Sequence, residues 1–159
     1  MNKETTGAAR FQALLARRGL AQRMRRLPDS TRTAAEAAAA IGCEEANIAK
    51  SIVFRCGDGA VVVVASGVNR VDTDKVARLL GDRVGRADAE FVRVHTGYAI
   101  GGVPPFGHPE PLPTLIDDDL FHLGEIWAAA GGPYEVFRTS ADELVEIGDA
   151  RRADVRVDP

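Results

Sequence analysis

The stretch that decides the fold reads IAKSIVFRCGDGAVVVVAS and occupies residues 48–66. It contains two apolar runs, residues 51–56 and 60–66, that are rich in β-branched side chains. Between them, Gly57-Asp58-Gly59 favours a tight turn. Because the two runs are continuously apolar rather than alternating, we predict a hairpin of two interior strands.

Capping signals place several helices around this hairpin. Thr33 and Glu36 form a capping box before an alanine-rich segment that Gly42 ends, and Ser140 and Glu143 form a second box. The predicted helices cover residues 8–18, 34–41, 73–80, 89–95 and a segment that begins after Ser140.

The remaining apolar runs predict further strands. They are an edge strand within residues 20–28 and three runs at residues 114–116, 125–129 and 134–138. Strands and helices follow one another without a regular βαβ alternation, which favours an α+β domain with a mixed sheet. Residues 149–159 are polar, and we expect them to be frayed.

The composition indicates one globular domain. A chain of 159 residues with 45% apolar residues can bury a core of its own. Cys43 and Cys56 form neither a metal-binding spacing nor a disulfide framework, which predicts a cytoplasmic protein. The longest apolar run, residues 60–65, is too short to span a membrane, and the N-terminus has no signal-peptide core.

Charge is distributed unevenly along the chain. Residues 1–32 contain eight basic side chains against two acidic ones, a balance of +6, so the remainder carries −9 within the total of −3. A basic end on an acidic body is suited to contact with a polyanion. The alternative interpretation is an amphipathic helix whose arginines are simply solvated.

Lys50 is an unusual residue in this sequence. The chain has 17 Arg and only 3 Lys, yet a lysine stands at the mouth of an apolar run. A compact ammonium on a flexible stem suits a point contact with a phosphate or a carbonyl oxygen. The alternative is a strand-edge lysine whose stem covers apolar surface while its ammonium stays in water.

A glycine- and proline-rich segment reads GGVPPFGH at residues 101–108. Paired glycines expose successive backbone N–H groups, and the two prolines that follow restrict the turn. Donors fixed in this way can stabilise a developing oxyanion. The alternative is a rigid loop that only packs, with Phe106 as its anchor, and His108 either lines a pocket or has no functional role.

Other chemistries have no support in the sequence. His95, His108 and His122 are too widely spaced to suggest a metal site, and the run Asp117-Asp118-Asp119 is typical of a solvated strand end. No serine-nucleophile elbow, phosphate-binding loop or dinucleotide fingerprint is present. We therefore predict neither a metal nor a cofactor.

Taken together, these residues resemble the YbaK/prolyl-tRNA-synthetase-associated domain family. The resemblance rests on the capped helix at 33–41 with Gly42, the strand around Lys50, the run 61–65 and the loop 101–108, and it spans residues 25–147. It implies a single α+β domain with a strongly curved, barrel-like mixed sheet flanked by helices. The expected organisation is a basic helical segment packed on the domain (1–24), a deacylase domain (25–148) and a polar tail (149–159).

The resemblance also implies an activity. Free-standing members hydrolyse the ester bond of mischarged aminoacyl-tRNA, and here Lys50 would contact the terminal phosphate or the ester carbonyl. Backbone N–H groups near Gly101 and Gly102 would face the oxyanion, and the ribose 2′-hydroxyl would help to position the water. The remaining loop residues would bind the substrate: Val103, Pro104, Pro105, Phe106, Gly107 and His108.

Further contacts and rival functions complete the expectations. The partner would be the 3′ aminoacyl end of a mischarged tRNA, with Arg23, Arg25 and Arg26 on its phosphates. Some relatives use an acidic residue in the last strands, and Glu135 is the hypothesis for it here. One rival is a ligand-binding or regulatory module of the same fold without turnover, and another is a nucleic-acid-binding protein that is indifferent to the aminoacyl group.

Overall fold

The structure is a computed structural model that describes residues 6–159. In that range the chain forms five α-helices: α1 Gly7–Arg17, α2 Ala34–Ile41, α3 Thr73–Leu80, α4 Ala89–Thr96 and α5 Ala141–Gly148. The same range contains eight strands: β1 Met24–Arg26, β2 Ile48–Cys56, β3 Gly59–Ser66, β4 Val84–Arg86, β5 Thr114–Asp117, β6 Glu125–Ala129, β7 Glu135–Ser140 and β8 Arg151–Ala153.

All eight strands belong to one curved, mixed, open sheet. Seven of them have the order β1-β7-β6-β2-β3-β5-β8, and β4 lies off this order as a third partner of β2. The pairs β2–β6, β3–β5 and β5–β8 are parallel, whereas the other pairs are antiparallel. The predicted hairpin is confirmed as β2 and β3 at the centre of the sheet. The predicted edge strand is confirmed as β1 at one end.

The centre of the sheet is buried because helices and loops cover both of its faces. Residues 61–64 of β3 have no exposed surface, and their side chains alternate between two apolar clusters. One cluster contains Phe11 and Leu15 of α1, and the other contains Val76 of α3. Burial on two sides explains why the sequence of this strand is continuously apolar.

The predicted capping boxes start α2 and α5. The Thr33 hydroxyl accepts a hydrogen bond from the Glu36 N–H at 3.1 Å, and the Ser140 hydroxyl accepts one from Glu143 at the same distance. Gly42 ends α2 with a φ of 91°, a conformation that costs glycine little. After α2 the chain makes one 3₁₀ turn, Glu45–Asn47, and then enters β2, the strand that carries Lys50.

The C-terminal segment differs from the expectation, and the prediction that residues 149–159 are frayed is wrong. Strand β8 pairs in parallel with β5, and the Val155 side chain beyond it is fully buried. The sequence signal for a strand is weak here, because β8 has only three residues and two of them are arginines on an edge strand. The short strand β4 was not predicted either.

Parts of two sequence-based expectations lie outside the described residues. Lys3 and Glu4, which were counted in the basic segment, and the start of the 1–24 segment belong to residues 1–5. Among residues 6–159, none of the helices has the length and apolar character that crossing a membrane requires.

Candidate functional site

A gap in the sheet creates the candidate site. On the side of β2 that faces away from β3, β6 pairs with Ile48 and Ala49, and β4 pairs with residues 54–56. Within the described chain, no strand pairs with residues 50–53 on that side. The gap opens onto a cavity of about 450 Å³ between α2, β2, β6, β7 and the glycine–proline loop, and Lys50, Ser51 and Gly101 line it.

Lys50 is half-buried in the wall of this cavity, and its ammonium has a defined partner. The Nζ atom donates a hydrogen bond to the main-chain carbonyl of Asn69 at 3.0 Å. Asn69 lies in residues 67–72, which join β3 to α3 and which we call the anchor loop. Lys50 is therefore held in one orientation at the cavity.

The predicted acidic run lies on the other side of the anchor loop. Asp117 is only 1% exposed and accepts hydrogen bonds from the Ser66 N–H at 3.0 Å and from the Asn69 side-chain amide at 2.8 Å. Asp119 accepts a second hydrogen bond from that amide, also at 2.8 Å. Asp118 pairs with Arg152. The run thus binds protein groups, and residues 6–159 contain no cluster of three or more His, Cys, Asp or Glu that could hold a metal ion.

The two glycines of the loop have different positions. Gly101 lines the cavity and has a φ of 89°, and the Gly102 N–H donates to the Ala99 carbonyl at 2.9 Å. A turn closed in this way with a positive φ at its third residue is a type II turn. Because the turn uses the Gly102 N–H, the expectation that this group faces an oxyanion does not hold in this structure. The Gly101 N–H has no acceptor among residues 6–159.

Gly102 has a packing role of its own. Its carbonyl accepts a hydrogen bond from the Gly131 N–H at 2.9 Å, and a Cβ at position 102 would come within 3.0 Å of the backbone of Gly132. A side chain at position 102 would therefore displace the loop between β6 and β7. This close approach explains the second glycine of the pair.

The remaining residues of the predicted loop divide between the cavity and the core. Val103 lines the cavity and is 2% exposed. Pro104, Pro105 and Phe106 are buried, and Gly107 is partly buried, away from the cavity wall. The Phe106 ring lies 5.1 Å from the Phe11 ring and 5.9 Å from the Phe137 ring, measured between centroids. The structure thus gives Phe106 the anchoring contacts of the alternative interpretation.

His108 lies beside a different cavity of about 490 Å³, which Leu14, Arg18 and Phe106 also line. Its Nε2 is 2.9 Å from the Pro104 carbonyl, and since a carbonyl only accepts, Nε2 donates. Burial lowers the pKa of His108, while the hydrogen bond to Pro104 opposes that effect. The structure therefore does not bring His108 together with Lys50.

The three N-terminal arginines all have protein partners. Arg23 pairs with Glu143, and Arg25 donates to the Ala40 carbonyl at 3.0 Å at the C-terminal end of α2. Arg26 pairs with Asp29 at 2.8 Å and with Glu135 at 3.3 Å. Arg26 is therefore near the cavity, because Glu135 lines it.

Several cavity residues were not singled out from the sequence. The guanidinium of Arg32 is exposed at the cavity and has no ion-pair partner in the described part of the chain. The alanine-rich sequence of α2 is the signal that could have indicated a pocket wall of small side chains. The other unrecognised lining residues include Leu27, Thr31, Ala34, Ala37, Trp127 and Tyr134.

Ser51 is a polar residue with an unusual environment. Its Oγ is buried and has no hydrogen-bond partner among the described residues. The residue lines both the Lys50 cavity and an adjoining cavity of about 270 Å³ with apolar walls. Unsatisfied polar atoms are rare in folded proteins, and functional sites are one place where they are found.

Comparisons with known proteins show which family and which solved structures this chain is similar to. The aminoacyl-tRNA editing domain matches residues 28–147 of the chain. The uncharacterized protein YwhH of Bacillus subtilis (strain 168) is 31% identical over 119 residues, which are 74% of this chain and 76% of that protein.

Two solved structures are similar over nearly their whole length. A crystal structure described as "a putative trans-editing enzyme for prolyl tRNA synthetase" has a TM-score of 0.90 and 44% identity, covering 98% of this chain and 100% of that one. The crystal structure of the hypothetical protein APE2540 has a TM-score of 0.85 and 32% identity, covering 93% and 99%.

Proposed function

This chain belongs to the aminoacyl-tRNA editing domain family, and from that membership we propose that it hydrolyses the ester bond of mischarged aminoacyl-tRNA in trans. The observation that carries the proposal is the single cavity that Lys50 and Gly101 line together. It offers a fixed ammonium and an unused backbone N–H to one ligand. The proposed substrate is made in the cytoplasm, and we place the protein there.

The proposed reaction needs no protein nucleophile, because an aminoacyl ester is already activated. Water attacks the ester carbonyl carbon, the bond from that carbon to the ribose oxygen breaks, and the ribose oxygen takes up a proton. The products are a free amino acid and an intact tRNA. The protein holds the 3′ end, orients the water and stabilises the tetrahedral oxyanion.

Lys50 and Gly101 have distinct roles in this mechanism. The Lys50 ammonium keeps its hydrogen bond to the Asn69 carbonyl and uses another of its three N–H groups to contact the terminal phosphate or the ester carbonyl. The Gly101 N–H donates to the oxyanion, and the 2′-hydroxyl of the terminal ribose positions the water. Val103 packs against the aminoacyl end. The buried residues Pro104, Pro105 and Phe106 support the turn that presents Gly101.

The similarity to a structure described as acting for prolyl tRNA synthetase makes tRNA for proline the first substrate to test. The walls supplied by Ala34, Ala37 and Ala128 are small and apolar, so we propose that the size of the amino acid side chain sets specificity. Such a pocket separates side chains by only about 1–3 kcal/mol per methylene. Glu135, at the same cavity, is a candidate ligand for the substrate's α-amino group.

The experiment that tests this proposal is single-turnover deacylation of proline tRNA carrying alanine, serine, cysteine, valine or proline. The wild-type protein should release at least one of the non-cognate amino acids faster than it releases proline. Binding of these substrates without any release would support the non-catalytic module instead. Equal affinity for charged and uncharged RNA, again without release, would support a general nucleic-acid-binding protein.

The N-terminal arginines give this function a separate test. We propose that Arg23, Arg25 or Arg26 contacts tRNA phosphates, and replacing all three by Ala should weaken tRNA binding and flatten its dependence on salt. Because each of them has a protein partner, the melting temperature of the variant must be measured alongside. An unchanged salt dependence would leave these arginines with structural roles only.

A further inference from the structure

The anchor loop carries the acceptor for Lys50, so whatever holds that loop also positions Lys50. The acceptor is the main-chain carbonyl of Asn69, while the side-chain amide of the same residue points to β5. That amide donates to both Asp117 and Asp119 at 2.8 Å. One residue thus connects the end of β5 with the ammonium at the cavity.

The C-terminal segment holds the anchor loop from its other side. The Asp72 N–H donates to the Val155 carbonyl at 2.7 Å, and the Val157 N–H donates to the Arg70 carbonyl at 2.8 Å. Val71 forms a β-bridge with Arg156. Residues 155–157 therefore lie alongside the loop that ends in α3, although they are outside the matched range 28–147.

Arg156 connects the C-terminal segment to the acidic run that binds Asn69. Its guanidinium lies 3.2 Å from the Asp119 carboxylate, the group that accepts one hydrogen bond from the Asn69 amide. A neighbouring pair, Arg152 with Asp118, has the same chemistry and similar exposure but no contact with Asn69. The two pairs differ in their connection to the anchor loop.

We propose that the C-terminal segment positions Lys50 for the reaction through the chain Arg156–Asp119–Asn69. Asn69 and Arg156 are positioning residues that never touch the substrate. The proposal rests on the role of Lys50 in the proposed function. It assigns an active-site task to a segment that lies beyond the range matched by the family.

The test compares three variants of the full chain: Asn69→Ala, Arg156→Gln and Arg152→Gln as the matched control. A misplacement of about 1 Å in a catalytic group costs on the order of 100-fold in rate, so the loosened loop in Asn69→Ala should slow single-turnover deacylation about tenfold. Arg156→Gln should slow it about threefold, because an exposed ion pair contributes little energy. Arg152→Gln should deacylate at the wild-type rate.

A second measurement does not depend on activity. Competitive reductive methylation followed by mass spectrometry compares the methylation rate of Lys50 with that of Lys75. Lys75 is the internal reference and pairs with Asp154 and Asp158. In Asn69→Ala the Lys50 amine should react several-fold faster relative to Lys75. The melting temperature should fall as well, because the variant loses two hydrogen bonds to Asp117 and Asp119. A structural role alone would lower the melting temperature without this selective change.

Two results would overturn the proposal: equal deacylation rates for Arg156→Gln and Arg152→Gln, or an unchanged methylation ratio in Asn69→Ala. Failure of the proposed function is a separate outcome, in which the wild type releases no amino acid at all. In that case the methylation ratio still decides whether the anchor loop positions Lys50.

Discussion

The Lys50 ammonium donates a hydrogen bond to the main-chain carbonyl of Asn69, 3.0 Å away in the anchor loop. This relationship connects the cavity to the end of β5, where the buried Asp117 holds the Asn69 side chain. A lysine that would otherwise sample many rotamers is thereby held in one place. Pre-ordering of this kind reduces the entropy that a substrate must supply on binding.

Ser51 should lower the stability of the folded protein. Its Oγ is buried without a partner, so Ser51→Ala should raise the free energy of unfolding by about 1 kcal/mol, measured by urea denaturation. Ser66→Ala is the matched control, because the Ser66 hydroxyl donates to the Ala46 carbonyl at 2.7 Å and its loss should cost about 1 kcal/mol. A loss of stability in Ser51→Ala would show that the hydroxyl has a partner after all.

Arg32 should contribute to tRNA binding through charge. Its exposed guanidinium at the cavity has no ion-pair partner within residues 6–159, so one phosphate contact is available to it. The logarithm of tRNA affinity falls as the logarithm of the salt concentration rises, and Arg32→Ala should make this negative slope shallower by about 1. Arg78→Ala, an exposed arginine on α3, should leave the slope unchanged, and equal slopes for both variants would remove Arg32 from the interface.

His108 should make stability depend on pH. Burial lowers the pKa of the folded imidazole, so below pH about 6.5 the unfolded chain takes up a proton that the folded protein resists. The neutral His108 therefore contributes its full stabilisation above that pH. This contribution is lost as the pH falls through the lower pKa that His108 has in the folded protein. Between pH 7.5 and 5.5 the melting temperature of the wild type should therefore fall by more than that of His108→Gln. Equal decreases would exclude His108 as the source of the pH dependence.

Val155 should behave as a core residue although it lies near the C-terminus. Its side chain is fully buried, so Val155→Ala should lower the free energy of unfolding by about 2 kcal/mol for two methyl groups. Val157 is 49% exposed, and Val157→Ala should change the free energy of unfolding by less than about 0.5 kcal/mol. Equal effects in chemical denaturation would mean that the segment is not packed as described.

Most of the fold could be predicted because its signals are local. The valine run of β3 predicts a strand that is buried on both faces, and the capping boxes at Thr33 and Ser140 predict where two helices begin. Strand β8 could not be predicted in this way, since Arg151 and Arg152 belong to an edge and only the pairing with β5 makes them a strand. Their conformation is set by tertiary contacts rather than by propensity.

The candidate site was predictable in part for the same reason. Lys50 and Gly101 stand out by residue type and line one cavity, whereas Arg32 and the alanines of α2 look ordinary in sequence. The hydrogen bond from the Gly131 N–H to the Gly102 carbonyl, and the bonds from Asn69 to the acidic run, join segments that are distant in sequence. Such pairings leave no mark in a local pattern.

The most direct test of the central claim is the single-turnover rate of deacylation for mischarged proline tRNA by the wild type and by Lys50→Ala, with Arg78→Ala as the surface control. Loss of one fixed donor to a developing oxyanion typically costs about 100-fold or more, so Lys50→Ala should be slowed by about that factor while Arg78→Ala keeps the wild-type rate. A Lys50→Ala rate equal to that of the wild type would contradict the account.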